Sequence, residues 1–308
     1  MLREKGWKVI VQPEERVLEP EELIANLKEG QYDAVLCDLD DKITAEILDV
    51  AKGNGVKIFA NYAVGYNNID IKTAAERGIM ITNTPGALTN TVAEHAFGLL
   101  LAIARRIPEA DRYTRAGRFK SWGPTLFLGE DISGKTLGIV GLGRIGSRVA
   151  YHAVRGFGMK VLYYDVKCSE EFEKELDAEY RENVDDIFRE ADFISIHVPL
   201  LETTRHLVDA RRLGLMKKSA YLINTSRGPV VDEKALTAAL QNGTIKGAAL
   251  DVFENEPALT PGLAELENVV LTPHIASATE ETRQEMSEIA AKNIIEALEG
   301  RTPPNLIK

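Results

Sequence analysis

Gly141-Leu142-Gly143-Arg144-Ile145-Gly146 is the most informative stretch of this chain of 308 residues. The hexapeptide lies between an apolar, strand-like segment at residues 137–140 and a helix-like segment at residues 147–156. A second apolar segment follows and ends at Asp165, nineteen residues after the last glycine. A glycine-rich turn alone is weak evidence, but strand, turn, helix, strand and acid in this order predict a dinucleotide-binding βαβ unit.

Each part of this unit has a physical reason. Gly141 permits a tight turn, Gly143 lets the backbone approach a pyrophosphate, and Gly146 lets the helix pack closely on the strand. The N-terminus of the helix supplies N–H groups and a partial positive charge. Asp165 would accept hydrogen bonds from the adenosine ribose and repel a 2′-phosphate, which predicts NAD rather than NADP. The alternative is a tight βα turn that binds nothing.

The composition indicates an ordinary globular protein of about two domains. Hydrophobic residues make up 44% and charged residues 27%, and the net charge is −10, without the basic clusters of a nucleic-acid or membrane surface. No segment approaches the length of a transmembrane helix, and the first residues lack a signal-peptide core. The two cysteines, Cys37 and Cys168, are far apart in sequence, which favours free thiols and a cytoplasmic location.

Strand-like and helix-like segments alternate along the chain, which predicts a parallel α/β architecture. Strands are predicted at residues 9–11, 34–37, 56–60, 79–82, 137–140, 161–164, 193–198, 221–225, 247–252 and 269–272. Helices are predicted at residues 20–28, 44–52, 71–77, 91–106, 147–156, 233–241 and 280–298. The helix at 91–106 would begin at the capping-box pattern of Thr91 and Glu94 and stop before Pro108.

This pattern predicts two doubly wound parallel-sheet domains. Residues 1–86 and 281–308 would form a discontinuous, flavodoxin-like substrate domain, and residues 87–280 a Rossmann NAD-binding domain. A cleft between two such domains is a natural site for cofactor and substrate.

Three residues with suitable chemistry follow predicted strands of the second domain: Arg227, Glu256 and His274. Such strand ends face the ligand crevice of a doubly wound sheet. A histidine can donate the proton that a hydride-accepting carbonyl requires, and a neighbouring carboxylate favours the charged imidazole. A guanidinium binds a carboxylate through two parallel hydrogen bonds. The set suits the reduction of a 2-keto acid, although each residue taken alone is more simply a surface arginine, a solvated glutamate and a structural histidine.

Six segments in the expected order make the chain resemble the D-isomer-specific 2-hydroxyacid dehydrogenases, and most the glyoxylate/hydroxypyruvate (D-glycerate) reductase branch. These segments are residues 64–70, 83–86, 141–146, 224–228, 251–257 and 272–276. The resemblance implies that Arg227 orients the substrate, that His274 is the general acid/base and that Glu256 pairs with His274. It also implies that backbone N–H groups around Val64 and Gly65 bind the substrate carboxylate.

The same resemblance implies a set of cofactor-binding residues, in which Asp251 lies near the nicotinamide amide. The set comprises Gly141, Gly143, Arg144, Ile145, Gly146, Asp165, Val198, Thr225 and Asp251. Formate dehydrogenases of the family carry Gln in place of Glu256, so that activity is disfavoured. Asp165 favours NAD, whereas Lys167 leaves some room for NADP.

Several expectations stay open at this stage. D-3-phosphoglycerate dehydrogenase is an alternative activity, and a non-enzymatic NAD(H)-sensing corepressor is an alternative class. The resemblance implies a homodimer formed through the helix at 91–106, in which residues 122–127 reach toward the neighbouring subunit. Relatives begin with a further strand and helix, so the chain either starts late or has a rearranged first domain.

Overall fold

The structure is a computed structural model that describes residues 1–13 and 16–307. Its strands, all in parallel sheets, are β1 (Ala34–Cys37), β2 (Ile58–Asn61), β3 (Met80–Thr82), β4 (Thr136–Val140), β5 (Lys160–Tyr164), β6 (Glu179–Tyr180), β7 (Phe193–Ile196), β8 (Tyr221–Asn224), β9 (Gly247–Leu250) and β10 (Val269–Leu271). Its α-helices are α1 (Pro20–Glu29), α2 (Ala45–Gly53), α3 (Ile71–Glu76), α4 (Thr89–Ala104), α5 (Ile107–Arg115), α6 (Arg144–Phe157), α7 (Glu170–Leu176), α8 (Val184–Glu190), α9 (Ala210–Leu213), α10 (Glu233–Gln241) and α11 (Glu280–Leu298). The prediction of an α/β fold with parallel sheets is confirmed.

The chain divides into two compact units. One comprises Met1–Leu88 together with Thr279–Lys308, and the other comprises Thr89–Ala278. The first unit holds the sheet β1-β2-β3, and the second holds the seven-stranded sheet β10-β9-β8-β7-β4-β5-β6.

Alternating side chains cover both faces of the three-stranded sheet. Phe59 packs with apolar residues of α1, α2 and α3, whereas Ala60, the next residue, packs with Ala290 and Ile294 of α11. This alternation is expected because successive side chains of a strand point to opposite faces. Helix α11, distant in sequence, thereby completes the core of the first unit.

The predicted strand at residues 9–11 is wrong. These residues have no strand structure, and Ile10 and Val11 are 60% and 66% exposed. A strand needs a neighbour for its backbone hydrogen bonds. Among the described residues, those at 9–11 pair with no strand, and β1 bonds only to β2.

The order of the second sheet fixes where a ligand crevice forms. The chain runs outward from β4 through β5 to β6, and then returns to place β7, β8, β9 and β10 on the other side of β4. The carboxyl ends of β4 and β7, which are neighbours, therefore mark the topological switch point. Helices α4 and α6 cover one face of this sheet, and α8 and α10 contribute to the core on the other.

The region after α4 differs from the prediction. Helix α4 begins at Thr89, so Thr91 lies inside the helix and is not its cap. Pro108 does not end regular structure; it lies in the first turn of α5, where its missing N–H has no intrahelical acceptor to lose.

None of the helices in the described part of the chain has the length and apolar character needed to span a bilayer.

Candidate active site

Arg227 follows β8 in a turn that a buried asparagine stabilises. The side chain of Asn224 donates to the carbonyl of Arg227 at 3.0 Å and accepts from the N–H of Ser226 at 3.0 Å. The guanidinium donates to the carbonyl of Ser226 at 2.7 Å. Burial lowers the pKa of Arg227, and the charge of Glu256 opposes that shift. Arg227 is therefore a desolvated cation within electrostatic reach of Glu256, not a surface ion-pair residue.

His274 and Glu256 form a hydrogen-bonded pair. Nδ1 of His274 lies 2.9 Å from Oε2 of Glu256, and both side chains are 25% exposed. Since a carboxylate only accepts hydrogen bonds, Nδ1 is the donor in this pair. Oε1 of Glu256 accepts from the N–H of Phe253 at 2.8 Å, which fixes the carboxylate. The arrangement leaves Nε2 of the imidazole available for a ligand.

Asp251 shapes the turn that carries His274. It is fully buried, and its two oxygens accept the N–H groups of Ile275 and Ala276 at 2.9 and 2.8 Å. Burial raises the pKa of Asp251, but hydrogen bonds from His95, Thr272 and these N–H groups outweigh burial, so its pKa is lowered. His274 itself has a left-handed backbone, with φ of 53°. Asp251 thus stabilises the strained turn at His274. The predicted contact of Asp251 with nicotinamide stays a prediction.

The three glycines of the turn have different surroundings. Gly141 has φ of 97°, and a Cβ there would lie 2.8 Å from the carbonyl of His197. A Cβ on Gly146 would overlap the carbonyl oxygen of Gly141. A Cβ on Gly143 would meet no described atom within 4 Å, and φ there is −74°. The protein itself therefore requires glycine at 141 and 146, whereas at 143 a side chain would project into open space at the start of α6.

Asp165 lies beside the glycine turn, as the spacing predicts. Its Oδ2 accepts from the N–H of Leu142 and its Oδ1 from the N–H of Val166, both at 2.6 Å. Both bonds connect the acid to the backbone, so the carboxylate is fixed at the end of β5. Helix α6 begins at Arg144, and Ile145 follows in its first turn.

The substrate-binding residues predicted in the first unit lie in a loop held by two asparagines. Asn61, at the end of β2, donates from its side chain to the carbonyl of Gly65 at 2.8 Å. Asn83, just after β3, donates to the carbonyl of Val64 at 2.8 Å. Both bonds use carbonyl oxygens and leave the N–H groups of Val64 and Gly65 for another partner.

Comparison with known proteins gives the family. Residues 97–276 match the model of the D-isomer-specific 2-hydroxyacid dehydrogenase NAD-binding domain. A glyoxylate reductase of Korarchaeum cryptofilum is 51% identical over 304 residues, which cover 98% of this chain and 88% of the relative. The chain belongs to the D-isomer-specific 2-hydroxyacid dehydrogenase family. It is an NAD-dependent dehydrogenase of the glyoxylate reductase branch.

Solved structures agree with this dehydrogenase fold. A protein from Thermus thermophilus superposes with a TM-score of 0.91 at 42% identity, over 100% of this chain and 95% of that one. An NADPH-dependent glyoxylate/hydroxypyruvate reductase from Sinorhizobium meliloti, in complex with citrate, superposes with a TM-score of 0.82 at 35% identity. The match covers 92% of this chain and 86% of that one.

Two observations show that the residues of the second unit suit a bound NAD. The open space at Gly143 adjoins the N-terminus of α6, where N–H groups without intrahelical partners favour phosphate. Thr225, at the end of β8, is 8% exposed, and its hydroxyl has no hydrogen-bond partner in the described structure. A buried polar group without a partner is unusual, and a bound cofactor would supply one. Val198, after β7, packs beside Gly141 and borders the same crevice.

Sequence reasoning missed the residues that support the site. Asn61, Asn83, Asn224 and His95 do not appear among the predicted site residues, although each contacts one of them or a residue beside it. Three are asparagines at or just after strand ends, where such side chains commonly bond to nearby backbone. An asparagine at a strand end is therefore a usable sequence signal.

Within residues 1–13 and 16–307 no group of three His, Cys, Asp or Glu side chains is arranged to hold a metal ion.

Proposed function

We propose that this dehydrogenase reduces a small 2-keto acid, glyoxylate or hydroxypyruvate, to glycolate or D-glycerate with NADH. The bond between His274 and Glu256, with Arg227 in electrostatic reach, is the observation that carries the proposal. The names of the relatives, glyoxylate reductase and glyoxylate/hydroxypyruvate reductase, support the substrate class.

Proton transfer is the task of His274. The reduction of a ketone adds one hydride to the carbonyl carbon and one proton to the oxygen. When bound, the nicotinamide cofactor supplies the hydride. Nε2 of His274 donates the proton to the developing alkoxide, while Glu256 stabilises the imidazolium before transfer.

We assign the binding of the substrate carboxylate to Arg227 and to the Val64–Gly65 loop. Arg227 offers parallel N–H donors that match a carboxylate, and its desolvation strengthens the attraction. The N–H groups of Val64 and Gly65, directed by Asn61 and Asn83, provide further donors. We assign residues 1–86 and 281–308 to substrate binding and residues 87–280 to NAD binding.

We also propose roles for the cofactor-binding residues. Gly141, Gly143 and Gly146, with Arg144 and Ile145 in the first turn of α6, take the pyrophosphate, and Asp165 takes the adenosine ribose. Val198, Thr225 and Asp251 line the rest of the cofactor site, with Asp251 near the nicotinamide amide. Each of these roles is part of the proposal.

We also propose that the protein acts as a homodimer. A cleft of about 500 Å³ on the outer surface of α4 and α6 is lined by Phe97, Leu101, Tyr151 and Phe157. Trp122, in the predicted intersubunit segment, is 81% exposed. Apolar surface of this kind favours a protein partner, and sedimentation at micromolar concentration tests the stoichiometry. A cytoplasmic location stays a prediction.

Steady-state NADH oxidation tests the activity. Purified protein is assayed with glyoxylate, hydroxypyruvate, pyruvate and phosphohydroxypyruvate, and each assay is repeated with NADPH. We expect turnover with glyoxylate or hydroxypyruvate and preference for NADH. No turnover with any of the four would contradict the proposal, and a strong preference for phosphohydroxypyruvate would replace it with phosphoglycerate dehydrogenase activity.

A further inference from the structure

A buried carboxylate attaches the loop that carries Glu256 to helix α10. Glu233 is the first residue of α10, and only 3% of it is exposed. Its Oε2 accepts the N–H of Glu254 at 2.9 Å, and its Oε1 accepts the N–H of Thr260 at 2.7 Å. These donors precede and follow Glu256 in the chain, so one side chain holds both ends of the segment between them.

Glu254 makes the reciprocal contact. Its Oε2 accepts the N–H of Glu233 at 3.2 Å, and its Oε1 lies 2.6 Å from Nε2 of His206. The loop and the start of α10 are therefore joined by backbone donors and side-chain acceptors in both directions. Such an arrangement restricts how far the loop can shift relative to α10.

The carboxylate of Glu233 is not the N-terminal cap of α10. Asp232 performs that function, because its side chain accepts the N–H of Ala235 at 2.9 Å. Burial of a carboxylate is unfavourable unless hydrogen bonds compensate it. The hydrogen bonds that compensate the burial of Glu233 come from the loop that contains Glu256. Glu233 therefore stabilises this loop more than it stabilises the helix.

The same loop packs closely against the segment that contains Arg227 and Gly228. A Cβ on Gly228 would overlap the carbonyl oxygen of Phe253. The N–H of Phe253 in turn donates to Glu256 at 2.8 Å. A displaced loop would therefore move the carboxylate of Glu256 and release the packing next to Arg227.

We infer that Glu233 is a positioning residue for the reduction: it holds residues 254–260 so that Glu256 keeps its hydrogen bond to His274. Glu233 acts through Glu256 and not on the substrate. The inference rests on the proposed function, because it assigns a task to the pair that donates the proton.

Glu233→Gln is the direct test. Glutamine keeps the size of the side chain but replaces one acceptor with an NH₂ group that faces a backbone N–H. We expect kcat with glyoxylate to fall at least tenfold, while the Kd for NADH stays within twofold of the wild-type value. Thr237→Val is the matched control, because it removes the 2.7 Å hydroxyl bond to the carbonyl of Glu233 and leaves the carboxylate intact. We expect its kcat to stay within twofold.

A second readout does not depend on activity. The Nδ1 proton shared by His274 and Glu256 should give a far-downfield proton NMR resonance, assigned by its loss in His274→Ala. We expect the resonance in the wild type and in Thr237→Val, and its loss in Glu233→Gln. Wild-type protein that reduces no keto acid would refute the proposed function and leave this NMR comparison valid.

The inference is overturned if Glu233→Gln retains both the resonance and the wild-type kcat. Should that variant fail to fold, Glu233→Asp replaces it, since its shorter carboxylate cannot reach both N–H groups. We expect a weakened resonance and a lower kcat for Glu233→Asp, and wild-type values for both would equally overturn the inference.

Discussion

Two histidine–glutamate pairs share one short loop of this dehydrogenase. His274 bonds to Glu256 at 2.9 Å, and His206 bonds to Glu254 at 2.6 Å. The two histidines even share a left-handed backbone, with φ of 53° and 51°. Residue types and backbone conformation therefore do not distinguish the pairs, but the ring nitrogen does, because His274 bonds through Nδ1 and His206 through Nε2.

The surroundings of the two pairs distinguish them further. Glu256 has the desolvated cation of Arg227 within electrostatic reach, whereas the backbone N–H of Glu254 donates to the buried carboxylate of Glu233. The side chain of His206 is also more exposed, at 41% against 25% for His274. We expect an anionic keto acid to be attracted to the first environment and repelled by the second. This difference is the reason why we assign proton transfer to His274 and not to His206.

His274→Ala should give the largest effect. We expect kcat for glyoxylate reduction to fall about 10²- to 10⁴-fold, because general acid catalysis contributes on that order. Fluorescence titration should show NADH binding within about twofold of wild type, since His274 is not among the proposed cofactor residues. A kcat within tenfold of wild type would show that another group donates the proton.

Arg227→Lys tests the cation that is present beside Glu256 and that distinguishes its surroundings from those of Glu254. A lysine ammonium cannot match a carboxylate with two parallel donors. We expect kcat/KM for glyoxylate to fall about 10- to 100-fold, since a hydrogen bond to a charged group contributes ~1.5–3 kcal/mol. Arg205→Lys, at an exposed position, is the control. Equal kinetics for both variants would remove Arg227 from substrate binding.

A third histidine bonds to no carboxylate in the described part of the chain, and its effect should appear in protein stability. Nε2 of His197 lies 2.8 Å from the hydroxyl of Ser195, and burial lowers the pKa of His197 to about 3 from 6.5. Between those values the unfolded chain binds the proton and the folded chain does not, so stability falls as the pH drops below 6.5. In His197→Asn the loss of unfolding free energy between pH 7 and pH 5, measured with urea, should be smaller by about 1–2 kcal/mol. An unchanged loss of unfolding free energy would contradict a neutral imidazole in the folded state.

Asn61→Ala tests the donors of the first unit. The variant leaves the carbonyl of Gly65 without its amide partner, so the Val64–Gly65 loop should loosen. We expect the KM for glyoxylate to rise about fivefold, as the loss of one hydrogen bond of ~1 kcal/mol predicts, with the Kd for NADH unchanged. Asn54→Ala removes a similar amide-to-carbonyl bond, to Val50 at the end of α2, and should leave KM at the wild-type value.

His206→Gln should give the smallest effect. The pair it breaks is partly exposed, and such pairs contribute ~0–1 kcal/mol to stability. We expect kcat within twofold of wild type and a melting temperature within a few degrees. A large fall in kcat would mean that His206 supports the site through Glu254.

The sequence predicted elements well where periodicity and caps agree. Helices α10 and α11 have the predicted bounds, and each begins after a residue, Asp232 or Thr279, whose side chain accepts an N–H of the first turn. Prediction failed where an apolar segment lacked a partner, at residues 9–11, because strand propensity says nothing about neighbours. It also failed at Pro108, because a proline that ends one helix equally suits the first turn of the next.

The site was predictable as a set of residue types at strand ends, but not as a network. The positions of Arg227, Glu256 and His274 follow from the alternation of strands and loops. The contacts of Glu233 with Glu254 and Thr260 join segments up to 27 positions apart, and no local pattern encodes them. The turn at Gly141 to Gly146 required both kinds of information, since spacing predicted it and only the structure separates the open position, Gly143, from the crowded ones.

The most direct test compares the two histidines in one assay. NADH oxidation with saturating glyoxylate is measured for the wild type, His274→Ala and His206→Ala under identical conditions. The account predicts that His206→Ala retains at least half of the wild-type kcat and that His274→Ala loses about 10²-fold or more. Similar kcat values for the two variants would contradict the claim that only the pair accompanied by Arg227 performs the chemistry.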